Sequence, residues 1–533
     1  MRFLSGNTLQ ILLLLVLLNS ATATAQQADV HSGVWRVVNY WSEWCSPCRK
    51  EIPMLNALSK ELDPDKVRVF GVNFDDAARQ ETLKTAKALG IVFPTLSKSD
   101  VAALGLRGPD VMPTTYIVSP DNEVAAKLVG LQSRTQVLEE LSRLGLAPES
   151  PLVTEVMSPA PVNSHLPRLT SNNGDLYLSW VTDLNTKSRL SYAKLGGALK
   201  GNGKGEESEE GWSPPLTISE GGNWFINWAD FPALSVSVDG MVAHWLQRSG
   251  VDTYDYDIAA SFFDVEQQQW SIGKRVNTDG IKAEHGFVSM TSVGDQGTLI
   301  TWLDGRNTKR QPTPGAMTLR SAVFDYQGKN LEEWELDEAV CDCCQTSSAM
   351  TPKGPVVVYR NRTSDEIRDI FIVRMVDGSW SQPQAVHDDG WQVNGCPVNG
   401  PAVAAKGGRL AVAWFTAKSS EPKVQLALSA NSGETFSAPI LVSASNTNGR
   451  VDTTILENGE ILVSWMDNTD SNAKIMLSRY SSNGDLRDVT EVGVTGSSRR
   501  SGFPVIESVG DIAYVAWTDV TDERQVRLAK VVY

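Results

Sequence analysis

Trp44-Cys45-Ser46-Pro47-Cys48 is the stretch that decides the fold of the first part of this chain. Two thiols separated by two residues, with a Trp before the first and a Pro between them, are typical of a redox-active dithiol. If the pair opens a helix, Cys45 lies at its N-terminus, where unpaired N–H groups and the helix dipole favour the thiolate. Cys48 then lies one turn inward, where it can attack a mixed disulfide on Cys45. Zinc sites use the same spacing, so a structural disulfide or zinc half-site is the alternative.

The sequence around the dithiol predicts alternating strands and helices. Apolar runs predict three strands, at 35–41, 67–73 and 111–118, and amphipathic patterns predict helices at 49–59 and 81–89. Pro53 is expected to kink the first helix. Pro113 comes immediately before the third strand. This order of elements is that of an α/β domain with the dithiol between its first strand and first helix.

Residues 30–146 resemble a TlpA-like thioredoxin domain through WCSPCRKEIP, FGVNFD, FPTL, MPTTYIV and a closing helix at 135–144. The resemblance implies a thioredoxin fold with a cis Pro113 facing the dithiol. It assigns Cys45 as the nucleophile and Cys48 as the resolving thiol, with Trp44 helping to receive the target disulfide. It also implies a reductant recharged by a membrane electron donor. Thioredoxins carry a buried Asp before this motif; here the position holds Asn39, as in TlpA-like proteins.

Length and composition indicate an exported protein of more than one domain. The chain has 533 residues, a net charge of −15 and a pI near 5.0, which argues against nucleic acid as a partner. Residues 1–25 combine Arg2, an apolar run at 11–18 and small residues ending at Ala25, the pattern of a cleaved secretory signal. The apolar run is too short to span a membrane. We expect a bacterial periplasmic protein without a membrane span after cleavage.

The rest of the chain has the sequence pattern of a repeated all-β structure. After a predicted linker at 148–151, a thioredoxin-like domain at 26–147 gives way to short strands separated by Gly, Asn, Asp and Ser, from 152 to 533. An apolar strand that ends in an aromatic residue recurs every 50–65 residues or so, the length of a propeller blade. These aromatic residues are Trp180, Trp245, Trp302, Tyr359, Trp414, Trp465 and Trp517.

Seven repeats predict a β-propeller of seven blades, with six as the alternative count. The last repeat lacks a strand, and residues 152–158 are predicted to supply it and close the ring. Residues 429–436, SANSGETF, resemble the Asp-box of sialidase-like propellers, with Asn in place of Asp. That resemblance concerns the fold only. The arginine motif of sialidases is not recognisable, so glycosidase activity is not expected and remains a further alternative.

Four cysteines outside the dithiol stand at related places in the repeat. Cys341, Cys343 and Cys344 precede the first strand of the fourth repeat, and Cys396 precedes that of the fifth. His165 and His285 occupy the same register in the first and third repeats. The starts of these strands share one face of a propeller, so the six residues are predicted to converge there as metal ligands. Thiolates with imidazole suit Cu(I) best and Zn(II) second. Two structural disulfides are the competing interpretation.

The sequence therefore supports more than one function for the fusion. In the first, the dithiol is an exported thiol–disulfide oxidoreductase that keeps the propeller cysteines reduced so that they hold copper. In the second, the propeller binds a protein or glycan and delivers a disulfide-bearing client to the dithiol. No cofactor is expected for the thioredoxin domain, and the copper, or as second choice zinc, would belong to the propeller.

Overall fold

The computed structural model describes residues 33–75, 77–132, 134–146, 151–196, 211–444 and 446–533. The predicted signal at 1–25 lies outside these residues. The chain divides into two compact units, Met1–Ser150 and Pro151–Tyr533. This division falls within the predicted linker, of which 148–150 lie outside the described part. None of the helices in the described ranges is both long enough and apolar enough to cross a membrane.

The N-terminal unit is a thioredoxin fold built on a four-stranded sheet in the order β2-β1-β3-β4. β1 and β2 are parallel, whereas β3 is antiparallel to β1 and β4. The strands are β1 Trp35–Trp41, β2 Val67–Asn73, β3 Thr114–Val118 and β4 Val124–Val129. The helices are α1 Ser46–Glu61, α2 Arg79–Ala88, α3 Lys98–Ala103 and α4 Arg134–Arg143. The thioredoxin fold predicted from the sequence is confirmed.

The burial of β1 explains why its side chains, apart from Arg36 and Asn39, are apolar or aromatic. Val37 packs with Leu55 and Ile117 on one side of the sheet, while Val38 packs on the other side. A central strand covered on both faces needs apolar side chains in both directions. Edge strand β4, which the sequence reading had not singled out, is more exposed. Helix α1 continues through Pro53 as one assigned helix.

The described part of the C-terminal unit contains seven antiparallel sheets. Sheet 1 contains β6 Ser164–Asn172, β7 Asp175–Leu184, β8 Lys187–Leu195 and β9 Leu216–Gly221. Sheet 2 contains β10 Ala233–Val236, β11 Met241–Arg248, β12 Tyr256–Asp264, β13 Gln269–Trp270 and β14 Lys274–Arg275. Sheet 3 contains β15 His285–Ser292, β16 Thr298–Asp304, β17 Thr318–Phe324 and β18 Asn330–Asp337.

The remaining four sheets follow the same plan. Sheet 4 contains β19 Ser347–Thr351, β20 Gly354–Arg360, β21 Ile370–Val376, β22 Ser379–Trp380 and β23 Gln384–His387. Sheet 5 contains β24 Ala402–Lys406, β25 Arg409–Thr416, β26 Lys423–Ser429 and β27 Ile440–Ala444. Sheet 6 contains β28 Thr447–Ile455, β29 Ile461–Asn468, β30 Asn472–Tyr480 and β31 Leu486–Gly496. Sheet 7 contains β32 Val505–Val509, β33 Ile512–Asp519, β34 Gln525–Val532 and β5 Leu152–Val156.

The two ends of this unit meet in sheet 7. β5 runs antiparallel to β34, with Leu152 opposite Val532 and Val156 opposite Leu528. This pairing confirms the prediction that the segment after the linker completes the last repeat. Since β34 is the last described strand and β5 the first strand of the unit, this pairing joins the two ends of the unit.

The first strands of the seven sheets are neighbours in sequence order. Contacts join β6 to β10, β10 to β15, and so on to β32, which in turn contacts β6. Together they line a cavity of about 410 Å³, from Arg168 in β6 to Ile506 in β32. The seven repeated aromatic residues all lie in the second strands and are buried in the core: Trp180, Trp245, Trp302, Tyr359, Trp414, Trp465 and Trp517.

Candidate functional site

The dithiol lies at the junction between strand β1 and helix α1. Cys45 is the N-cap residue of α1, and Cys48 lies in its first turn. The two sulfurs form a disulfide, with their Cα atoms 5.3 Å apart. The backbone N–H of Cys48 donates a hydrogen bond to the Sγ of Cys45 at 3.2 Å. When the pair is reduced, this donor and the positive end of the helix stabilise a thiolate on Cys45.

The sulfurs of the dithiol are enclosed by apolar side chains. Cys45 is only 3% exposed, and Cys48 is fully buried. Trp41 and Ala86 pack in the same cluster, and Met112 packs against it. The Met112–Pro113 peptide bond is cis, and Pro113 leads directly into β3. The loop that carries Pro113 therefore lies beside the dithiol, through the contact that Met112 makes.

Trp44 presents an apolar surface next to the nucleophile. Its side chain is 63% exposed, although its Nε1 donates to the Oδ1 of Asp75 at 2.8 Å. Ser42 donates to the other oxygen of Asp75 at 2.6 Å. The ring of Phe74, also exposed, meets Trp44 edge-on with centroids 6.3 Å apart. The hydrogen bond to Asp75 fixes the indole, so that the two rings form a rigid apolar rim.

The helix that carries the dithiol also carries a buried carboxyl, Glu51, which was not predicted from the sequence. Glu51 is 1% exposed, and its Oε2 accepts a hydrogen bond from the Nδ2 of Asn39 at 3.0 Å. Asn39 also donates to the Oγ1 of Thr115 at 2.9 Å. Burial raises the pKa of Glu51, against hydrogen bonds from Gln132 and Asn39 that lower it. The position of Glu51, three residues after buried Cys48 on the same helix face, was the available signal.

Three cysteines of the C-terminal unit come together just before β19. The Sγ of Cys341 lies 3.1 Å from that of Cys344 and 3.9 Å from that of Cys343. All three sulfurs lie within 4.8 Å of one another. Cys341 and Cys344 are buried and Cys343 is half-buried, whereas Cys396, which precedes β24, is exposed. We call Cys341, Cys343, Cys344 and Cys396 the thiol cluster.

Arginines surround the thiol cluster on the side of sheet 4. The Nη1 of Arg368 donates to the Sγ of Cys341 at 3.3 Å. Arg362 pairs with Asp342 at 3.1 Å. Hydrogen bonds from Cys343 and Cys344 hold the pKa of Cys341 well below its usual range. A hydrogen bond from Cys343 lowers the pKa of Cys396 to about 7. The hydrogen bond with Cys341 raises the pKa of Cys343, and burial raises that of Cys344, so that Cys341 and Cys396 are the members suited to carry thiolate charge.

The two histidines predicted to join the cysteines make other contacts. The Nε2 of His165 lies 3.3 Å from the Oδ1 of Asp183, and burial lowers the pKa of His165. His285 directs Nδ1 toward the carbonyl of Tyr256 at 3.1 Å, and its Nε2 lies 3.0 Å from the Oδ2 of Asp279. Neither ring belongs to the sulfur group. A shared register places strand starts on one face, but each imidazole is held by a carboxylate of its own neighbourhood.

His285 belongs to a second group of donors, with Asp279 and Asp304. Here the guanidinium of Arg306 already lies 2.7 Å from Asp304 and 3.3 Å from Asp279. A cation of the protein thus sits among these carboxylates, and the group is an internal ion-pair network.

Asp230 belongs to a hydrogen-bonded trio with Tyr256 and Glu284. The Oη of Tyr256 lies 2.9 Å from the Oδ2 of Asp230 and 2.8 Å from the Oε1 of Glu284. Burial raises the pKa of Asp230 to about 7 and that of Glu284 to about 8. These carboxyls are therefore protonated over much of the acid range.

Comparison with known proteins concerns the N-terminal unit. The AhpC/TSA family matches residues 14–127. The thiol-disulfide oxidoreductase ResA of Bacillus thuringiensis is 25% identical over 108 residues, which cover 20% of this chain and 61% of ResA. The thiol:disulfide interchange protein HelX of Rhodobacter capsulatus is 27% identical over 125 residues, covering 23% of this chain and 68% of HelX. The homologues of this unit are thus named as thiol–disulfide oxidoreductases.

Among solved structures, StoA from Bacillus subtilis is 23% identical and covers 20% of this chain and 82% of StoA, with a TM-score of 0.18. The chain spans about three fifths of the length of the ResA proteins that it matches.

Proposed function

We propose that this chain is an exported thiol–disulfide oxidoreductase that acts through Cys45 and Cys48. The observation that carries the proposal is the hydrogen bond from the Cys48 N–H to the Cys45 sulfur at the start of α1. It prepares Cys45, and not Cys48, to leave or attack as a thiolate. The homologues named as oxidoreductases and the signal pattern at 1–25 support the assignment and the export.

In the proposed direction the reduced pair transfers two electrons to a client disulfide. The Cys45 thiolate attacks one client sulfur, and a mixed disulfide forms as the client S–S bond breaks. The released client sulfur takes up a proton. Cys48 loses its proton and attacks the Cys45 sulfur, which frees the second client thiol and closes the Cys45–Cys48 disulfide. A dithiol electron donor in the membrane then reduces this disulfide.

The cis peptide loop at Pro113 and the ring of Trp44 are proposed to receive the client. The extended backbone beside Pro113 leads into β3 next to the dithiol, and the exposed indole offers an apolar contact. Apolar contact area near the reacting sulfurs favours polypeptide clients over small polar disulfides.

The C-terminal unit is proposed to be a seven-bladed propeller. Each of its seven sheets would be one blade, and the first strands around the cavity would form the inner ring. The closure of sheet 7 by β5 supports this arrangement, because it is the way in which propellers join their ends.

The client of the dithiol is proposed to be the thiol cluster of the same polypeptide. Tethering two reactive groups on one chain gives an effective concentration of about millimolar. The Cys341 and Cys344 sulfurs, 3.1 Å apart, are close enough to oxidise to a disulfide in an exported protein. The dithiol would return them to thiols, the state in which they can hold a soft metal such as copper.

The second candidate is a separate client that the C-terminal unit binds. The exposed Cys396 and the polar cavity of this unit favour it, since both are open to a partner. On this alternative the thiol cluster is not the substrate, and the C-terminal unit brings a foreign disulfide protein to Cys45.

The two candidates differ in what a trapped intermediate contains. In a Cys48→Ala variant the mixed disulfide on Cys45 cannot resolve and accumulates. Peptide mapping of the exported variant should find Cys45 joined to one of Cys341, Cys343, Cys344 or Cys396. Capture of one foreign protein would support the second candidate. If a Cys45→Ala variant captures as much, the proposed nucleophile is wrong.

A further inference from the structure

We infer that Cys341, Cys343 and Cys344 form a thiolate site for one Cu(I) ion, with Cys396 as an exposed fourth sulfur. The inference deepens the proposed role of the thiol cluster, but the site can be tested without the dithiol. It rests on the positions of the sulfurs, on their burial and on the charges around them.

The sulfur positions are close to those that a single ion requires. Three sulfurs that each lie about 2.3 Å from a metal in trigonal geometry are about 4 Å apart. The Cys341–Cys343 separation is 3.9 Å, and all three sulfurs lie within 4.8 Å of one another. Cys341 and Cys344, at 3.1 Å, need to separate by less than an ångström. Local adjustment within one loop can supply this.

The chemistry of the donors selects the metal. The group contains sulfur alone, since neither His165 nor His285 reaches it. Soft thiolates prefer Cu(I), which accepts three ligands, whereas a structural Zn(II) site wants four closed ligands. The fourth cysteine, Cys396, is exposed and lies outside the group of three sulfurs. Two buried sulfurs, a half-buried third and an accessible fourth therefore suit Cu(I) that is loaded from outside.

The surroundings offset the negative charge of a Cu(I)–thiolate centre. Three thiolates and one Cu(I) carry a net charge of −2. Arg368 is 2% exposed and donates to the Cys341 sulfur, and Arg362 binds the intervening Asp342. A buried guanidinium that donates to sulfur stabilises a thiolate more than a thiol. Arg368 is thus placed as an outer-shell partner of the metal site.

The structural alternative is a Cys341–Cys344 disulfide, and the experiment must separate it from a metal site. The full chain with Cys45→Ser and Cys48→Ser is the parent, so that the dithiol binds no copper and performs no exchange. The parent is reduced without oxygen by a phosphine, its thiols are counted, and Cu(I) is added in competition with bicinchoninate. We expect four thiols and about one retained copper per chain, with none retained by the parent carrying Cys341→Ser and Cys344→Ser.

A substitution at the exposed Cys396 tests the site with little risk that the variant misfolds. Cys396→Ser in the same parent should fold normally and weaken Cu(I) binding by about 10-fold or more, as loss of a supporting ligand does. The inference is overturned if the reduced parent retains no Cu(I), or if its four thiols cannot be recovered by the phosphine. It is equally overturned if equimolar Zn(II) displaces the copper. Failure here leaves the trapping result with Cys48→Ala unaffected, so the two proposals fail separately.

Discussion

Glu51 accepts a hydrogen bond from Asn39 at 3.0 Å in the interior of the thioredoxin-fold unit. Its other oxygen accepts from the backbone N–H of Gln132. In this interior the carboxyl therefore comes from helix α1, while strand β1 contributes the amide of Asn39.

Replacement of Glu51 by Ala should destabilise the protein more than replacement by Gln. Ala leaves the donors of Asn39 and Gln132 without an acceptor, which costs about 1–3 kcal/mol. Gln keeps an oxygen for Gln132. The Oδ1 of Asn39 has no partner among the described residues, so this amide can turn to accept from the new Gln. Urea unfolding of the oxidised proteins measures the difference. Equal losses for the two variants would contradict the hydrogen-bond account.

Removal of the exposed indole should impair exchange with protein clients. Trp44→Ala is expected to lower kcat/KM for a protein disulfide by about 5-fold, the effect of losing roughly 1 kcal/mol of contact. The rate with a small aromatic disulfide should hardly change, because the sulfurs themselves are unaltered. Tyr254→Ala, which removes an aromatic ring that is 57% exposed in the C-terminal unit, is the control. An equal loss with both substrates would argue against a docking role.

The trio of Asp230, Tyr256 and Glu284 should make stability depend on pH. Burial raises the pKa of Asp230 to about 7 and that of Glu284 to about 8. Because both values are raised, the folded chain holds protons that the unfolded chain has lost, and this stabilisation is present at acid pH. It falls as the pH rises from about 4 through 8.

Glu284→Gln should therefore flatten the fall in melting temperature between pH 4 and pH 9. The comparison is with Glu332→Gln, at an exposed position, which should follow the parent curve. If Glu284→Gln runs parallel to the parent over the whole range, the raised pKa is wrong.

The repeated Trp residues allow the contribution of one hydrogen bond to stability to be measured, because an equivalent Trp lacks that bond. The Nε1 of Trp302 donates to the Oδ2 of Asp304 at 2.8 Å. Trp180, at the same place in sheet 1 and equally buried, has no partner for its Nε1 in the described part of the chain. Trp302→Phe should cost about 1–2 kcal/mol more than Trp180→Phe. The midpoints of urea unfolding give this difference, and equal costs would mean that the bond contributes nothing.

The dithiol and the thioredoxin fold around it could be predicted from the sequence, because the sequence features that indicate them are local. The Cys45–Cys48 spacing, the apolar run of β1 and the Pro before β3 each report on a few adjacent residues. The pairing of β5 with β34 could also be predicted, because the last repeat lacked one strand and residues 152–158 formed a strand with no other partner. Glu51 was overlooked because a single acidic residue in an amphipathic helix is usually on the solvent side.

The composition of the thiol cluster was only partly predictable. Cys341, Cys343 and Cys344 lie within one loop, so their proximity follows from their adjacency in the sequence. Strand register could not predict that His165 and His285 would turn to Asp183 and Asp279, since those contacts depend on side-chain direction and on residues far along the chain. Arg368, which is 27 residues from Cys341 in sequence, carried no local sign of its contact with sulfur.

If the dithiol maintains the thiol cluster, the redox state of its four cysteines depends on Cys45. Wild-type protein and the Cys45→Ser variant are exported from the same host, alkylated at once, and their cysteines at 341, 343, 344 and 396 are assigned as thiol or disulfide. The account predicts free thiols in the wild type and disulfides in the variant. Free thiols to the same extent in both proteins would contradict it.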